Sequence, residues 1–149
     1  CVTNTLHQAD FPKAQFGYPL AANVLPWIDS DLGNGRSREE WKGGVEANKI
    51  LGKPKHGQQG SVLVDGLCIR VGAMRCHSQA LTFKLKQKLS NEELVDYLST
   101  ANQWVKVIEN KKESSLSQLT PAAVSGSLDI NIGRIKNVQP FIFHRPHIK

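Results

Sequence analysis

The chain has 149 residues, 40% hydrophobic and 21% charged, with a formal net charge of +6. This length predicts one domain, and the composition excludes a chain that is disordered throughout. Its apolar runs are shorter than the about 20 residues of a membrane span, and the first residues do not resemble a signal peptide, so we expect no membrane partner.

The first 36 residues show little periodicity and are interrupted by three prolines. They nevertheless hold apolar side chains, among them Phe16, Leu25 and Trp27. We therefore predict an ordered, extended segment that packs on another surface rather than a linker.

The first predicted helix runs from about Arg38 to Leu51. Ser37 and Glu40 have the spacing of a capping box, in which each residue bonds to the backbone N–H of the other. Trp41, Val45 and Asn48 recur on one side of this helix. The internal pair of glycines at 43 and 44 is unfavourable in a helix, which suggests that another group approaches the helix closely.

The remaining elements alternate between strands and helices. Apolar and polar residues alternate at 67–71 and strictly at 81–86, which predicts two strands. A helix over 92–100, capped by Ser90 or Asn91, follows. The last predicted elements are a strand at 104–108, a charged turn at 109–113 and a strand at 128–132. This order predicts the α+β class, with a mixed β-sheet and flanking helices.

Charge and cysteine content narrow the function classes. The densest basic groups are Lys84, Lys86 and Lys88, and Lys111 with Lys112. They are typical of a solvated strand face and a turn; the alternative is a nucleic-acid patch, but no aromatic residues lie between them, so we expect no nucleic-acid partner. The three cysteines form no CxxC pair and are odd in number, which predicts reduced thiols, a cytoplasmic location and no metal site.

Four side chains are candidates for chemistry. His77 suits proton transfer near neutral pH, although a lone histidine at a strand end is often structural. Its neighbour Cys76 is expected to point to the opposite face of the strand. The Arg70 guanidinium is either solvated or binds a carboxylate through two parallel hydrogen bonds. Glu46 and Lys49, three residues apart on the helix, form either a surface ion pair or part of a site. From the residues alone these alternatives stay open.

The chain resembles the aspartate-β-semialdehyde dehydrogenases over most of residues 16–136. The matching stretches are FGYPLAANVLPWID, SREEWKGGVEANKIL, VDGLCIRVGAMRCHSQALTFKLK and LTPAAVSGSL followed by IGRIK. The resemblance implies an NADP-dependent oxidoreductase of amino-acid biosynthesis. In this family an N-terminal Rossmann domain binds NADP. A second domain, similar to the catalytic domain of glyceraldehyde-3-phosphate dehydrogenases, forms the dimer interface and much of the substrate site.

The resemblance also implies roles for particular residues. The histidine of RCHSQA, His77, would be the acid/base catalyst. The arginine of GLCIR, Arg70, would bind the α-carboxylate of the substrate. In EANK, Glu46 would contact the substrate's amino group and Lys49 its phosphate. A substrate carboxylate is bound well by a planar guanidinium, an ammonium group by an anion and a phosphate by a cation. These roles are therefore chemically consistent.

Several features of the family are missing from the sequence. The nucleophilic cysteine in its Asn-Cys-Thr context is absent, and so are the glycine-rich NADP loop and the family's C-terminal helix. The chain begins at Cys1 and its single methionine is Met74. We therefore expect residues 1–136 to be an incomplete dimerisation and substrate domain without the NADP-binding domain, and 137–149 to be a divergent tail.

Two functions are consistent with these features of the sequence. In the first, the chain is part of a homodimeric enzyme whose substrates and products include aspartate semialdehyde and phosphate, and it is inactive alone. In the second, it is a non-catalytic remnant that only self-associates or binds anions.

Overall fold

The computed structural model describes residues 12–74 and 76–137. These residues form four helices and four strands. In chain order the elements are β1 (Val24–Leu25), α1 (Arg38–Ile50), β2 (Arg70–Val71), α2 (Asn91–Thr100), β3 (Val105–Val107), α3 (Lys112–Gln118), α4 (Pro121–Val124) and β4 (Ile130–Ile132). The α+β class is confirmed. The expectations about Cys1 and about the tail beyond residue 137 lie outside the described residues.

The four strands form two separate sheets of two strands each. β1 and β2 are antiparallel, with Val24 opposite Val71 and Leu25 opposite Arg70. β3 and β4 are parallel, with Val105 opposite Ile130. Both strand directions of the predicted mixed sheet are therefore present, but in two sheets rather than one.

The predicted strands at 67–71 and 81–86 are wrong in extent. Only Arg70 and Val71 of the first are in a strand, and the second has no strand at all. The apolar side chains of the second, Leu81 and Phe83, are 71% and 63% exposed. A strand needs a hydrogen-bonded neighbour, and within the described residues no segment lies beside 81–86 to supply one.

The core lies between the N-terminal segment and α3. Leu25, Trp27 and Leu116 are buried together, and Tyr18 and Leu20 pack against them. The prediction that the N-terminal segment packs on another surface is thus confirmed for the part that begins at Tyr18. α3, which supplies Leu116, begins at Lys112, where the sequence predicts only a charged turn. Its N-cap residue, Lys111, makes no side-chain capping bond, so the helix start has no local sequence signal.

Both N-terminal caps predicted from the sequence are confirmed. The Ser37 hydroxyl accepts a hydrogen bond from the Glu40 N–H, and the Glu40 carboxylate accepts one from the Ser37 N–H. Ser90 and Glu93 make the same reciprocal pair at the start of α2. Of the two possible caps of α2, the structure therefore selects Ser90.

The buried side of α1 is mainly polar. Glu40, Gly44 and Asn48 are buried, whereas Trp41 is 47% exposed. Of Trp41, Val45 and Asn48, which recur on one side of the helix, only Asn48 is therefore buried. The buried row is polar because its side chains bond to charged groups and to the backbone of residues 62–68, as described below, so an apolar pattern does not reveal it.

The two internal glycines of α1 have different surroundings. A Cβ atom at Gly44 would lie 2.6 Å from Nδ1 and Cε1 of His56, whereas at Gly43 no described atom lies within 4 Å. The close approach predicted from the glycine pair is therefore present at Gly44 and is made by the His56 ring.

We expect these two positions to respond differently to alanine. Gly43→Ala should raise the free energy of unfolding by about 0.5–1 kcal/mol, because alanine is the better helix former. Gly44→Ala should lose that gain and leave the chain less stable than Gly43→Ala, because the His56 ring must move. Urea unfolding of both variants measures the difference. Equal gains would show that His56 does not pack tightly on α1.

Candidate functional site

The four predicted site residues are all exposed. Glu46 and Lys49 lie on the exposed side of α1, Arg70 lies in β2, and His77 follows β2. Within residues 12–74 and 76–137, no hydrogen bond or ion pair joins any two of these four side chains. The structure therefore leaves their charged and polar groups accessible, and it does not assemble them into a bonded cluster.

Arg70 is held by an aromatic ring and by the β1–β2 sheet. Its guanidinium carbon lies 4.6 Å from the centre of the Phe16 ring. In the sheet, Arg70 lies opposite Leu25, which is only 2% exposed. The backbone of Arg70 is thus anchored to the core, while its side chain is at the surface.

The end of β2 is held closely against the N-terminal segment. The Gly72 N–H donates to the Asn23 carbonyl at 2.7 Å. A Cβ atom at Gly72 would collide with the Leu20 carbonyl oxygen, so this approach requires glycine. The segment that leads from Arg70 towards His77 is therefore fixed at its start.

The two described cysteines lie in different surroundings. Burial and then the negative charge of Glu40 raise the pKa of the Cys68 thiol. Cys76 has a φ of 68°, so the expected alternation along a strand does not apply to Cys76 and His77. The Cys76 thiol instead lies 3.9 Å from the Pro121 carbonyl oxygen at the start of α4.

Residues 62–68 connect α1 to Arg70, and two side chains of α1 hold them. The Asn48 amide accepts from the Val62 N–H at 2.7 Å and donates to the Val62 carbonyl at 2.8 Å. The Glu40 carboxylate accepts from the Cys68 N–H at 3.3 Å. These bonds fix the distance between the helix that holds Glu46 and Lys49 and the segment that leads into β2.

Glu40 is also the centre of a buried ion pair. It accepts a hydrogen bond from Arg134, whose guanidinium stacks on Trp27 at 3.9 Å from the ring centre. The Glu40 and Arg134 side chains are 0% and 2% exposed. Burial acts to raise the pKa of Glu40, but the hydrogen bond and charge of Arg134 oppose it. The pKa of Glu40 is therefore below its ordinary value.

A second acidic group extends this cluster. Asp65 accepts two hydrogen bonds from the Arg36 guanidinium, at 2.8 and 3.0 Å, and one from Lys136 at 3.1 Å. Burial acts to raise the pKa of Asp65, but the hydrogen bonds from Arg36 and Lys136 leave it below its ordinary value. Lys136 also lies 3.6 Å from Glu40 and so links the two acidic groups.

Sequence reasoning did not identify this cluster. Glu40 lies in EEWK and Arg134 in GRIK, both within the stretches that carry the family resemblance. The two residues are 94 positions apart, and no local spacing connects them. The charged residues of these matching stretches are numerous, so their presence alone does not single out this pair.

The first turns of α1 and α2 do not fit the phosphates of NADP. Helix N-termini bind phosphate through free N–H groups and the positive end of the helix dipole. In α1 that end is occupied by the Ser37 cap and by Glu39 and Glu40, and in α2 by Glu92 and Glu93. Acidic first turns repel a phosphate, so we derive no step in which these helices hold the cofactor.

Metal binding and membrane insertion find no support in residues 12–74 and 76–137. No three His, Cys, Asp or Glu side chains in these ranges are grouped closely enough to hold a metal ion. None of the helices in the same ranges has the length and apolar character needed to cross a membrane.

The described residues form an α+β domain in which the four candidate residues are exposed, and a buried ionic cluster bonds to Asp65 and Cys68 between α1 and β2. The chain belongs to the semialdehyde dehydrogenase family as its dimerisation domain, because the family model matches residues 2–141. Among solved structures it is similar to "Aspartate Semialdehyde Dehydrogenase from Francisella tularensis", with 48% sequence identity and a TM-score of 0.43. That match covers 89% of this chain and 35% of the other, so the chain spans about a third of that protein. The predicted family is confirmed.

Proposed function

We propose that the chain is the substrate-binding and dimerisation part of an aspartate-semialdehyde dehydrogenase. The reaction would convert β-aspartyl phosphate, NADPH and a proton into aspartate semialdehyde, phosphate and NADP⁺, in the synthesis of lysine, threonine and methionine. The observation that supports this proposal best is that the Arg70 guanidinium has no bonded carboxylate among the described residues. Arg36 and Arg134 are bonded to Asp65 and Glu40, whereas among the described residues no carboxylate bonds to Arg70.

The four exposed residues would divide the work of recognition and proton transfer. Arg70 would bind the α-carboxylate through paired N–H donors. Glu46 would contact the ammonium group and Lys49 the phosphate; neither is bonded to the other in the described chain, so both charges are available. His77 would exchange a proton with the reacting oxygen, because histidine is the side chain that most often serves as a general acid or base.

The remaining chemistry requires groups that this chain does not supply. When bound, NADPH would supply the hydride, and a cysteine from another part of the enzyme would form the covalent bond to the substrate. We therefore expect the chain alone to show no turnover of aspartate semialdehyde. The cytoplasmic location and the homodimer of the intact enzyme stay predictions.

Arg70→Lys tests the proposed function in a chimera. The chain would replace the matching part of the Francisella tularensis aspartate semialdehyde dehydrogenase, whose remaining residues complete the enzyme. Lysine keeps the positive charge but cannot form the two parallel hydrogen bonds that a planar guanidinium makes to a carboxylate. We expect kcat/KM for aspartate semialdehyde to fall by about 1–3 kcal/mol in free-energy terms, as for a charge-assisted hydrogen bond. The KM for NADP should not change.

The matched control is Arg38→Lys. Arg38 is an exposed arginine in the first turn of α1, and its replacement should leave kcat/KM unchanged. An unchanged kcat/KM in Arg70→Lys would remove Arg70 from the substrate site and with it the main support for the proposed function.

A second candidate function is self-association without catalysis. The segment 67–85 exposes a series of large apolar side chains, which are Leu67, Ile69, Val71, Met74, Leu81, Phe83 and Leu85. Exposed apolar patches of this kind mark interaction sites, and extended edges pair with other chains. We propose that a second copy of the chain covers this segment, because the matching family is described as a dimerisation domain.

Leu81→Lys tests this self-association. Sedimentation velocity of the purified chain should show oligomers, and Leu81→Lys should shift them towards the monomer, because a lysine ammonium is costly to bury at an interface. Leu128→Lys is the control, since Leu128 is 74% exposed, close to the 71% of Leu81, but lies outside the segment. Equal effects of the two variants, or a monomeric parent chain, would contradict the assignment.

A further inference from the structure

We propose that Phe16 is a positioning residue that fixes the plane of the Arg70 guanidinium for a carboxylate ligand. This inference rests on the proposed function, in which Arg70 binds the carboxylate of the substrate. It adds a residue from the N-terminal segment to a site otherwise built from α1, β2 and the segment after β2.

The contact geometry leaves the binding edge of Arg70 available. In the proposed arrangement the guanidinium lies with its flat face on the ring, so that its N–H donors point outward in the plane of the group. The 4.6 Å separation between the Arg70 guanidinium and the Phe16 ring is within the range of such a contact. Within the described residues no carboxylate occupies the N–H donors of Arg70.

The two partners of the contact lie in separate local structures. The backbone N–H groups of Phe16 and Gly17 donate to the Lys13 carbonyl at 3.3 and 2.7 Å, which forms a tight turn. Arg70 is fixed in β2 opposite the buried Leu25. The ring and the strand therefore present the guanidinium from two separately held segments.

The stacking predicts a preference for one ligand class. An unsupported arginine side chain samples many rotamers, and binding must restrict them. A ring beneath the guanidinium reduces that loss and fixes the plane in which two parallel N–H···O bonds can form. A planar carboxylate matches this edge-on fork, so we expect Phe16 to strengthen binding of a carboxylate ligand at Arg70.

Carboxylate binding by the full 149-residue chain tests the inference. L-aspartate would be titrated into ¹⁵N-labelled protein, and its Kd read from the backbone amide signal of Val71. Phe16→Leu should raise this Kd about twofold to fivefold, as expected for an exposed cation–π contact. It should also move the Arg70 Nε–H signal downfield, because the ring current of Phe16 is lost. Phe16→Tyr, which keeps a ring, should preserve both values.

Two further variants separate the inference from the proposed function. Arg70→Lys should weaken aspartate binding, and Tyr97→Leu, which removes an exposed ring in α2, should not. If Arg70→Lys weakens binding but Phe16→Leu leaves both the Kd and the Arg70 signal unchanged, Phe16 has no positioning role while the proposed function stands. If aspartate does not bind the parent chain saturably, or Arg70→Lys binds it equally well, the carboxylate site fails and the inference with it.

Discussion

His77→Ala should lower kcat of the chimeric enzyme by about 10²–10⁴-fold, the usual contribution of a general acid or base. The expectation follows from the proposed role of the histidine in RCHSQA and from its accessibility after β2. Because the role is proton transfer rather than substrate binding, KM should change little. Steady-state kinetics measures both values.

His56→Gln is the comparison for this prediction. His56 is the histidine whose ring packs on Gly44 of α1, at a position outside the proposed chemistry. Its replacement should leave kcat near the parent value. If His77→Ala retains kcat within a few-fold, the histidine is structural and its proposed role is wrong.

Arg134→Met should lower the free energy of unfolding by about 3–5 kcal/mol, the effect of removing one partner of a buried ion pair. Methionine retains the apolar bulk against Trp27 but leaves the Glu40 carboxylate without its main partner. The variant also removes hydrogen bonds to the Gly35 carbonyl and to Asn110, at 2.9 and 3.0 Å. Urea unfolding monitored by tryptophan fluorescence measures the change.

An exposed ion pair and a double variant provide the controls. Lys111→Met removes the partner of Glu109, but both side chains are more than half exposed, so its effect on the free energy of unfolding should be much smaller than that of Arg134→Met. Adding Glu40→Gln to Arg134→Met should recover part of the lost stability, because the unpaired buried charge is gone. An additive double variant would show that Glu40 and Arg134 do not stabilise the fold through each other.

The same cluster predicts how stability depends on pH. The pKa values of Glu40 and Asp65 are lower in the folded chain than their ordinary values. Their contribution is therefore complete above the ordinary carboxyl range and is lost as pH falls through the lower folded values. We expect the melting temperature to fall as pH is reduced below about 4. Arg134→Met should reduce this dependence, and an unchanged profile would contradict the role of the ion pair.

The elements predicted successfully are those with local signals. The caps at Ser37 and Ser90 depend on residues three positions away, and both helices begin where these signals place them. The strands around 104–108 and 128–132 are also present, although each is limited to three residues. Local hydrogen bonds determine such boundaries, so one segment of sequence contains the necessary information.

The alternation at 81–86 led to a wrong prediction, because it indicates a preference for a strand but does not show that a neighbouring strand is present. Leu81, Phe83 and Leu85 have the spacing of a half-buried strand, yet the described chain provides no neighbouring strand for them. Pairing is a non-local property, since it depends on a second segment whose position the alternation does not encode.

The site was predictable only in part for the same reason. The family resemblance supplied Arg70, Glu46, Lys49 and His77, whose contacts with one another the structure does not show. The side chains of Glu40 and Asn48 hold the segments on which these residues lie, and they do so by bonding to residues that are distant in the chain. Their burial contradicts the usual rule that charged and amide side chains lie outside, so an apolar pattern could not reveal them.

The way α1 holds residues 62–68 affects which positions can change during evolution. Asn48 bonds to the N–H and carbonyl of Val62, and Glu40 bonds to the N–H of Cys68. Every residue except proline offers the same backbone N–H, so residues 62 and 68 can be substituted without loss of their hydrogen bonds to the helix. The helix has no such freedom, because Asn48 and Glu40 make these bonds through their side chains, which a substitution would remove. Mutational tolerance across this contact is therefore one-sided: wide on the segment that is held and narrow on the helix that holds it.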